Sequence, residues 1–133
     1  MEEIERSIQL FAKEREWDNL RPADLAKSIM IEGAELLENF QWDSPTAEDI
    51  LADEKKLAAV KKELADVMIY ALQLSILLKL DTREIILAKL AQNAKKYPVD
   101  VVRARREAID KKGTSEDYWK LKQRYRQSQE VKS

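Results

Sequence analysis

The sequence contains neither cysteine nor histidine, and among its 133 residues only two are glycine and three are proline. Without cysteine, the chain has no disulfides, no thiolate zinc sites and no cysteine nucleophiles. The lack of histidine removes the commonest general base and the usual ligand of catalytic zinc. Acid–base chemistry must therefore use carboxylates, lysine, tyrosine or water activated by a metal. The scarcity of glycine and proline, which punctuate turns, indicates a mainly helical protein.

The length and the charge of the chain exclude further classes of protein. A chain of 133 residues suits one domain with a real core. The net charge of -1 gives no bulk basic field, so we expect no nucleic-acid partner. The longest apolar run, residues 67–78, is too short to span a bilayer, and the acidic residues 1–5 do not resemble a signal peptide. We expect a soluble cytoplasmic protein with no membrane partner.

Apolar spacing and capping residues predict an all-α fold. We expect helices over residues 2–16, 22–40 and 53–80, with Pro22 in the first turn of the second one. A short helical turn over 48–51 would follow Ser44 as N-cap. The fourth long helix runs from a capping box at residues 81–84 to residue 97, and Pro98 ends it. The charged segment after Pro98 is predicted to be partly helical, with a last helix over residues 114–127.

Two acidic pairs carry most of the functional information: Glu32 with Glu35, and Glu63 with Asp66. A spacing of three places both acids of a pair on one side of a helix. On a helical wheel Glu32 borders the apolar stripe and Glu63 lies inside one, where an unpaired carboxylate is strongly disfavoured. Four carboxylates at a seam between two helices would need a cation, and Mg²⁺ and Mn²⁺ prefer such oxygen ligands. The alternative is that both pairs belong to solvated helix faces.

Three further groups of residues have both a structural and a functional interpretation. Two tryptophans at helix ends are either packing residues or a stacking platform for a nucleobase. A polar ridge on the fourth helix is either a solvated face or a set of contacts to phosphate, base and sugar. The predicted helix 53–80 also has a second apolar side, which indicates that another subunit covers it. The three groups are Trp17 and Trp42; Lys89, Asn93, Lys96 and Tyr97; and Ile69, Leu72 and Ile76.

Four segments together resemble a known family. They are residues 11–17 (FAKEREW), 31–42 (IEGAELLENFQW), 63–70 (ELADVMIY) and 89–98 (KLAQNAKKYP). Their order resembles the MazG-like nucleotide pyrophosphohydrolases, and among them the dCTP pyrophosphatase branch. The resemblance covers about residues 5–98. It implies a catalytic four-helix bundle over residues 1–98, assembled as a homodimer or homotetramer, with a C-terminal extension over 99–133.

The resemblance also implies an activity and a set of site residues. A Mg²⁺-dependent enzyme (with Mn²⁺ as a substitute) would convert a nucleoside triphosphate, such as dCTP or a modified dCTP, to the monophosphate and pyrophosphate in nucleotide-pool cleansing. The base that orients the attacking water would be Glu35 or Glu38, and the wheel favours Glu35 because Glu38 faces solvent. Carried over by position, the metal ligands are Glu32, Glu35, Glu63 and Asp66. The substrate-binding residues are Trp17, Trp42, Tyr70, Lys89, Asn93, Lys96 and Tyr97.

A non-enzymatic helical scaffold or regulator that dimerises through the helix 53–80 is the competing hypothesis. It explains the second apolar side of that helix, but not a carboxylate at position 63 inside an apolar face. The sequence leaves open the base and sugar preference, the number of metal ions, and the choice between dimer and tetramer.

Overall fold

The computed structural model describes residues 1–108, 120 and 122–128, and for residues 105, 107 and 108 the backbone alone. All regular structure in these ranges is α-helical, which confirms the predicted fold class. None of the described helices is long and apolar enough to cross a membrane. The chain forms two compact units, Met1–Thr82 and the part from Arg83 onward. The helices are α1 (Glu2–Glu14), α2 (Pro22–Glu38), α3 (Ala47–Ala52), α4 (Glu54–Leu77), α5 (Thr82–Lys96) and α6 (Val99–Ala108).

Helix α1 ends in a left-handed residue that fixes the chain beyond it. Glu16 has a φ of 57°, and its N–H donates to the carbonyl of Lys13 at 3.1 Å. The N–H of Trp17 donates to the carbonyl of Ala12 at 2.9 Å. This pair of hydrogen bonds is a Schellman motif, in which the left-handed residue is usually glycine. The motif therefore holds the backbone of Trp17 against the last turn of α1.

Helix α3 spans the expected turn 48–51, but its N-cap lies two residues later than expected. Its N-cap is Thr46, not Ser44, because Asp49 completes a reciprocal capping box with Thr46. The Thr46 hydroxyl accepts from the Asp49 N–H at 3.2 Å, and the Thr46 N–H donates to the Asp49 carboxylate at 2.8 Å. The Thr46 hydroxyl also donates to this carboxylate at 2.8 Å, and the two bonds that the carboxylate accepts, first the one from the N–H, lower the pKa of Asp49 below its usual value. With Ser44 as the cap, the third helical residue would be Ala47, which offers no such partner.

Helix α4 is the central element of the first unit. It contacts α1, α2 and α3, and its contact with α2 is the broadest. Among the described residues the buried apolar side chains are Ile8, Ala12 and Leu25, on α1 and α2. The hydroxyls of Ser75 and Thr82 share a buried hydrogen bond of 2.7 Å next to the end of α4. The core of the first unit is therefore small and consists mainly of the facing sides of α1, α2 and α4.

Large apolar side chains remain exposed on both long helices of the first unit. Met30 and Leu37 on α2 are 72% and 64% exposed, and Met68 on α4 is 54% exposed. The apolar side of α4 that we expected to be uncovered is only partly so. Ile69 is exposed, whereas Leu72 and Ile76 are half-buried, and Ile76 lines a cavity that α1 also borders. The covering of this side by another subunit stays a prediction.

The second unit contains the rest of α5, helix α6 and the helical residues 122–128. The ammonium of Lys96 lies 5.2 Å from the ring centre of Tyr97 and 5.1 Å from that of Tyr125. The amide of Gln92 donates to the Tyr125 hydroxyl at 3.3 Å. These contacts connect α5 to the residues 122–128. The start of the last predicted helix, at residue 114, lies outside the described residues.

Candidate metal and substrate site

Three carboxylates converge at the seam between α2 and α4. Glu32 comes from α2, and Glu63 and Asp66 come from successive turns of α4. One ligand oxygen from each lies within 4.8 Å of the other two, and all three residues are half-buried. The seam thus has the oxygen-rich chemistry that hard divalent cations require. We call these three residues the carboxylate cluster.

Glu63 is the most enclosed member of the carboxylate cluster. Its side chain is 13% exposed, and its Oε2 atom is buried without a hydrogen-bond partner among the described residues. Its Oε1 atom accepts from the ammonium of Lys62 at 2.8 Å. The helical wheel did not indicate this basic partner, because Lys62 lies about 100° away from Glu63 on it. The long side chain of Lys62 nevertheless reaches Glu63. An unpaired buried carboxylate oxygen fits a cation site, because such an atom is costly without a partner.

Glu35 lies beside the carboxylate cluster without being one of its three members. The negative charge of Glu32, and then that of Glu63, raises the pKa of the Glu35 carboxyl above its ordinary value. When Glu35 carries a proton it can share a hydrogen bond with Glu63, which raises this pKa further. Glu38, one turn further along α2, is exposed, as the wheel indicated. Of the two candidate bases, Glu35 is therefore the one that is electrostatically coupled to the cluster.

A cavity of about 630 Å³ lies in the same unit as the carboxylate cluster. Its walls come from α1, from the loop after it, from Leu25 of α2 and from the last turns of α4. Leu25 precedes Glu32 by seven residues, and Gln73 follows Asp66 by seven residues. Two turns of helix span about 10 Å, so on both helices the cavity lies roughly that far from the cluster. The cavity and the cluster thus lie along one seam.

Trp17 forms part of the cavity wall and is half-exposed. Its ring meets Phe11 edge-to-face, with the ring centres 6.0 Å apart and the planes at 65°. The guanidinium of Arg15 also lies over the Phe11 ring, 3.7 Å from its centre. Together with the Schellman motif, these contacts fix the position of the indole. A fixed, partly exposed indole on a cavity wall suits stacking against a planar ring.

The other predicted substrate-binding residues are in different environments. Trp42 lies in the loop between α2 and α3 and is 90% exposed. This loop is joined to α4 by an ion pair of 3.0 Å between Asp43 and Lys56. Tyr70 on α4 is half-buried, one turn beyond Asp66. The ridge on α5 belongs to the second unit, where Asn93, Lys96 and Tyr97 are half-buried and Lys89 is exposed and donates to Gln92 at 2.8 Å.

Comparison with known proteins places this architecture in a family. The sequence model of the MazG-like family matches residues 27–120. The chain belongs to the MazG-like family. Two relatives in this family are the dCTP pyrophosphatase 1 of Mus musculus, which is 35% identical over 105 residues, and that of Homo sapiens, which is 32% identical over 108. The matches cover 77% and 78% of this chain but only 62% of each relative.

A solved structure gives the same fold. The crystal structure of a pyrophosphatase from Archaeoglobus fulgidus superimposes with a TM-score of 0.65 and 38% sequence identity. The superposition covers 74% of this chain and 92% of that one. The MazG-like match also extends to residue 120, beyond the segment that ends at Pro98. The division of the chain at residue 98 stays a prediction.

Sequence reasoning missed three features of the site. The first is Lys62, whose ammonium occupies one oxygen of Glu63. The second is the cavity itself, which no single segment encodes. The third is Gln73, a polar residue in an apolar stretch of α4 that lines the cavity. Its spacing of seven from Asp66 was a usable signal, because residues seven apart share a helix face.

Proposed function

We propose that the chain is a Mg²⁺-dependent nucleotide pyrophosphohydrolase that converts nucleoside triphosphates to monophosphates and pyrophosphate. The observation that carries this proposal is the buried, unpartnered Oε2 of Glu63 within a cluster of three carboxylates. The cavity along the same seam supports it, because a nucleotide needs a place for its base as well as for its phosphates. Membership of the MazG-like family and the names of the relatives agree with it.

In this proposal the acids have separate roles. Glu32, Glu63 and Asp66 would hold Mg²⁺, for which Mn²⁺ is a substitute, and Glu35 would complete the ligand set. Bound Mg²⁺ supplies positive charge that offsets the charge of the triphosphate and acidifies water. Glu35, placed beside the cluster, would also orient the attacking water and accept its proton. Glu35 and Glu38 are both exposed, but only Glu35 is electrostatically coupled to Glu32 and Glu63, so the contribution of Glu38 would be to the surrounding field.

The substrate would lie along the α2–α4 seam. Trp17 would stack on the base in the cavity, while Tyr70 would lie between base and phosphates. Trp42 would lie at the phosphate end of the nucleotide, since its exposed indole is on a loop that the Asp43–Lys56 ion pair joins to the start of α4. The α5 residues Lys89, Asn93, Lys96 and Tyr97 belong to the second unit, and their role in binding phosphate and sugar stays a prediction from the resemblance.

The substrate class is a deoxynucleoside or nucleoside triphosphate. The two named relatives are dCTP pyrophosphatases, so dCTP and modified dCTP are the first candidates, and removal of damaged or surplus nucleotides is the proposed role. Such substrates are cytoplasmic, and we propose the same location for the protein. No nucleic-acid or membrane partner is part of the proposal.

Product analysis tests the proposed activity. Purified protein is incubated with Mg²⁺ and a panel of canonical and 5-modified NTPs and dNTPs, and the monophosphate and pyrophosphate are quantified. Reaction in ¹⁸O-labelled water should place the label in the monophosphate, because water attacks the α-phosphorus. Orthophosphate as the first product, or label in pyrophosphate alone, would contradict the proposal. Glu63→Gln serves as the inactive control.

Self-association is part of the proposal, as a homodimer or a homotetramer. The exposed apolar residues on α2 and α4 favour it, because burying one such side chain is worth about 1.5–3 kcal/mol. A second subunit would cover Met30, Leu37 and Met68. Light scattering of wild-type protein should show more than one subunit, and Met68→Glu should weaken the assembly. An active wild-type monomer at micromolar concentration would contradict this part.

The scaffold hypothesis keeps some support from the same exposed apolar surface. It differs from the enzyme in its response to metal. A protein that binds Mg²⁺ only when folded gains stability in step with metal concentration. A scaffold would melt at the same temperature with and without Mg²⁺ or Mn²⁺.

A further inference from the structure

We infer that the side-chain amide of Gln73 contacts the hydrogen-bonding edge of the nucleobase and sets the base preference of the site. This inference rests on the proposed pyrophosphohydrolase function and assigns a specificity-determining residue within it. Three independent features of Gln73 carry it: its register on α4, its place in the cavity wall, and the hydrogen-bonding chemistry of an amide.

The register of Gln73 aligns it with the phosphate end of the site. Asp66, Tyr70 and Gln73 are spaced i, i+4 and i+7, so they lie on one face of α4. Seven residues of helix separate Asp66 from Gln73 by about 10 Å. A nucleotide whose phosphates lie at the carboxylate cluster would therefore extend its base along this face toward Gln73.

The surroundings of Gln73 leave its amide available. The cavity wall combines apolar residues such as Trp17, Leu25 and Ile76 with polar and charged ones, which are Arg6, Gln9, Lys13 and Asp18. Gln73 is half-buried, and its amide makes no hydrogen bond to any other described residue. A base that enters the cavity could therefore pair with both the donor and the acceptor of this amide. The second amide on the wall, Gln9 of α1, is exposed.

An amide offers one acceptor and two donor hydrogens on the same plane. It can accept from the amino group of cytosine while it donates to the ring nitrogen. After a half-turn it can donate to the carbonyl of uracil and accept from the ring N–H. The wild-type site should therefore accept both pyrimidines with a preference below tenfold. A carboxylate at the same position only accepts, so with either base it pairs with one donor, the cytosine amino group or the uracil ring N–H, and places its other oxygen against a lone pair.

The test compares kcat/KM for dCTP and dUTP in wild-type protein, Gln73→Glu, Gln73→Met and Gln9→Glu. In Gln73→Glu the kcat/KM values for dCTP and dUTP should both fall by at least about tenfold, since an unmatched buried polar pair costs about 1–3 kcal/mol. In Gln73→Met both values should also fall and the ratio should approach one. Gln9→Glu adds the same charge to the same cavity and should keep the wild-type values.

Binding supplies a readout independent of turnover. Isothermal titration with α,β-methylene-dCTP and α,β-methylene-dUTP should show a matching loss of affinity for both in Gln73→Glu. Wild-type kcat/KM and affinity in Gln73→Glu and Gln73→Met would overturn the inference and leave the enzyme intact. An equal loss in Gln9→Glu would also overturn it, because the added charge alone would explain the result. If wild-type protein hydrolyses no nucleotide, the proposed function fails, and the role of Gln73 fails with it.

Discussion

Replacing Glu63 by glutamine should raise the stability of the metal-free protein and abolish turnover. The oxygens of Glu32, Glu63 and Asp66 lie within 4.8 Å of one another. Two like charges about 4 Å apart repel by about 1 kcal/mol in water and about 4 kcal/mol at an effective dielectric constant of 20. Glu63 takes part in two such repulsions, and the ion pair with Lys62 offsets part of them. We expect a net gain of about 1–2 kcal/mol in the free energy of unfolding, or roughly 3–10 °C in Tm.

Metal should reverse this order, because it should stabilise wild-type protein more than Glu63→Gln. Wild-type protein should gain about 2.7 kcal/mol when Mg²⁺ reaches a hundred times its Kd, because the ion binds only the folded state. Glu63→Gln should gain much less, because the neutral amide is a poorer ligand for a hard cation than the carboxylate. The assay is a series of thermal melts in EDTA and in rising Mg²⁺ or Mn²⁺, with turnover measured on the same samples.

The matched control is Glu38→Gln, which removes the same charge from an exposed position on α2. It should leave the metal-dependent rise in Tm unchanged. The reasoning is refuted if Glu63→Gln keeps the wild-type rise in Tm and the wild-type turnover. It is also refuted if the variant is less stable than wild type in EDTA, since that would mean the carboxylate is satisfied without a cation.

Three further substitutions test other parts of the structure. Trp17→Ala should raise KM by a factor equivalent to about 1–3 kcal/mol and leave kcat nearly unchanged, because a base stacked on this indole is held equally in the ground and transition states; steady-state kinetics measure both. Lys62→Met should tighten Mg²⁺ binding several-fold in a calorimetric titration, since it removes a cation that competes for Glu63, whereas Lys61→Met should not. Thr46→Ala should lower the free energy of unfolding by about 1 kcal/mol, while Ser44→Ala should leave it unchanged.

Each of these three has a contrary outcome. A fall in kcat at constant KM would make Trp17 a residue that positions the reacting groups. Weaker Mg²⁺ binding in Lys62→Met would mean that the lysine orients Glu63 instead of competing with the ion.

The loss of stability in Thr46→Ala should also depend on pH. Because the cap lowers the pKa of Asp49, its stabilisation is present above the ordinary value of 3.8 and is lost as pH falls through the lower folded value. A constant difference from Thr46→Ala across that range would contradict this account.

The sequence predicted the helices and the side of α4 on which Glu63 lies, because both depend on a short-range period. Pro22 does begin α2, and α5 does end just before Pro98. The N-cap of α3 was predicted at Ser44 instead of Thr46. The prediction considered the cap residue alone and not the residue that completes a capping box with it. Asp49, three residues after Thr46, was the signal that decides between the two.

The features that the sequence did not predict depend on packing between helices. The cavity exists because α1, α2 and α4 leave a gap, and no local pattern encodes its size. The ion pair of Lys62 depends on how a long, flexible side chain bends toward its neighbour. The half-buried state of Ile76 depends on the neighbours that share its cavity wall. In each case the sequence gives the residue type. The contact that the residue makes depends on a partner distant in sequence or on the rotamer of its own side chain.

The carboxylate cluster lies in the α2–α4 contact, which is also the broadest helix contact of the first unit. In the proposed function this helix contact both stabilises the unit and binds the metal ion. Stability without metal favours uncharged side chains at Glu32, Glu63 and Asp66, whereas metal binding requires the carboxylates. This has a consequence for protein engineering. Directed evolution for thermal stability in the presence of a metal chelator is expected to enrich apolar or amide replacements at these three positions. The selected proteins would be thermally stable but inactive. Selection in excess Mg²⁺ should retain all three acids and place its improvements elsewhere in the chain.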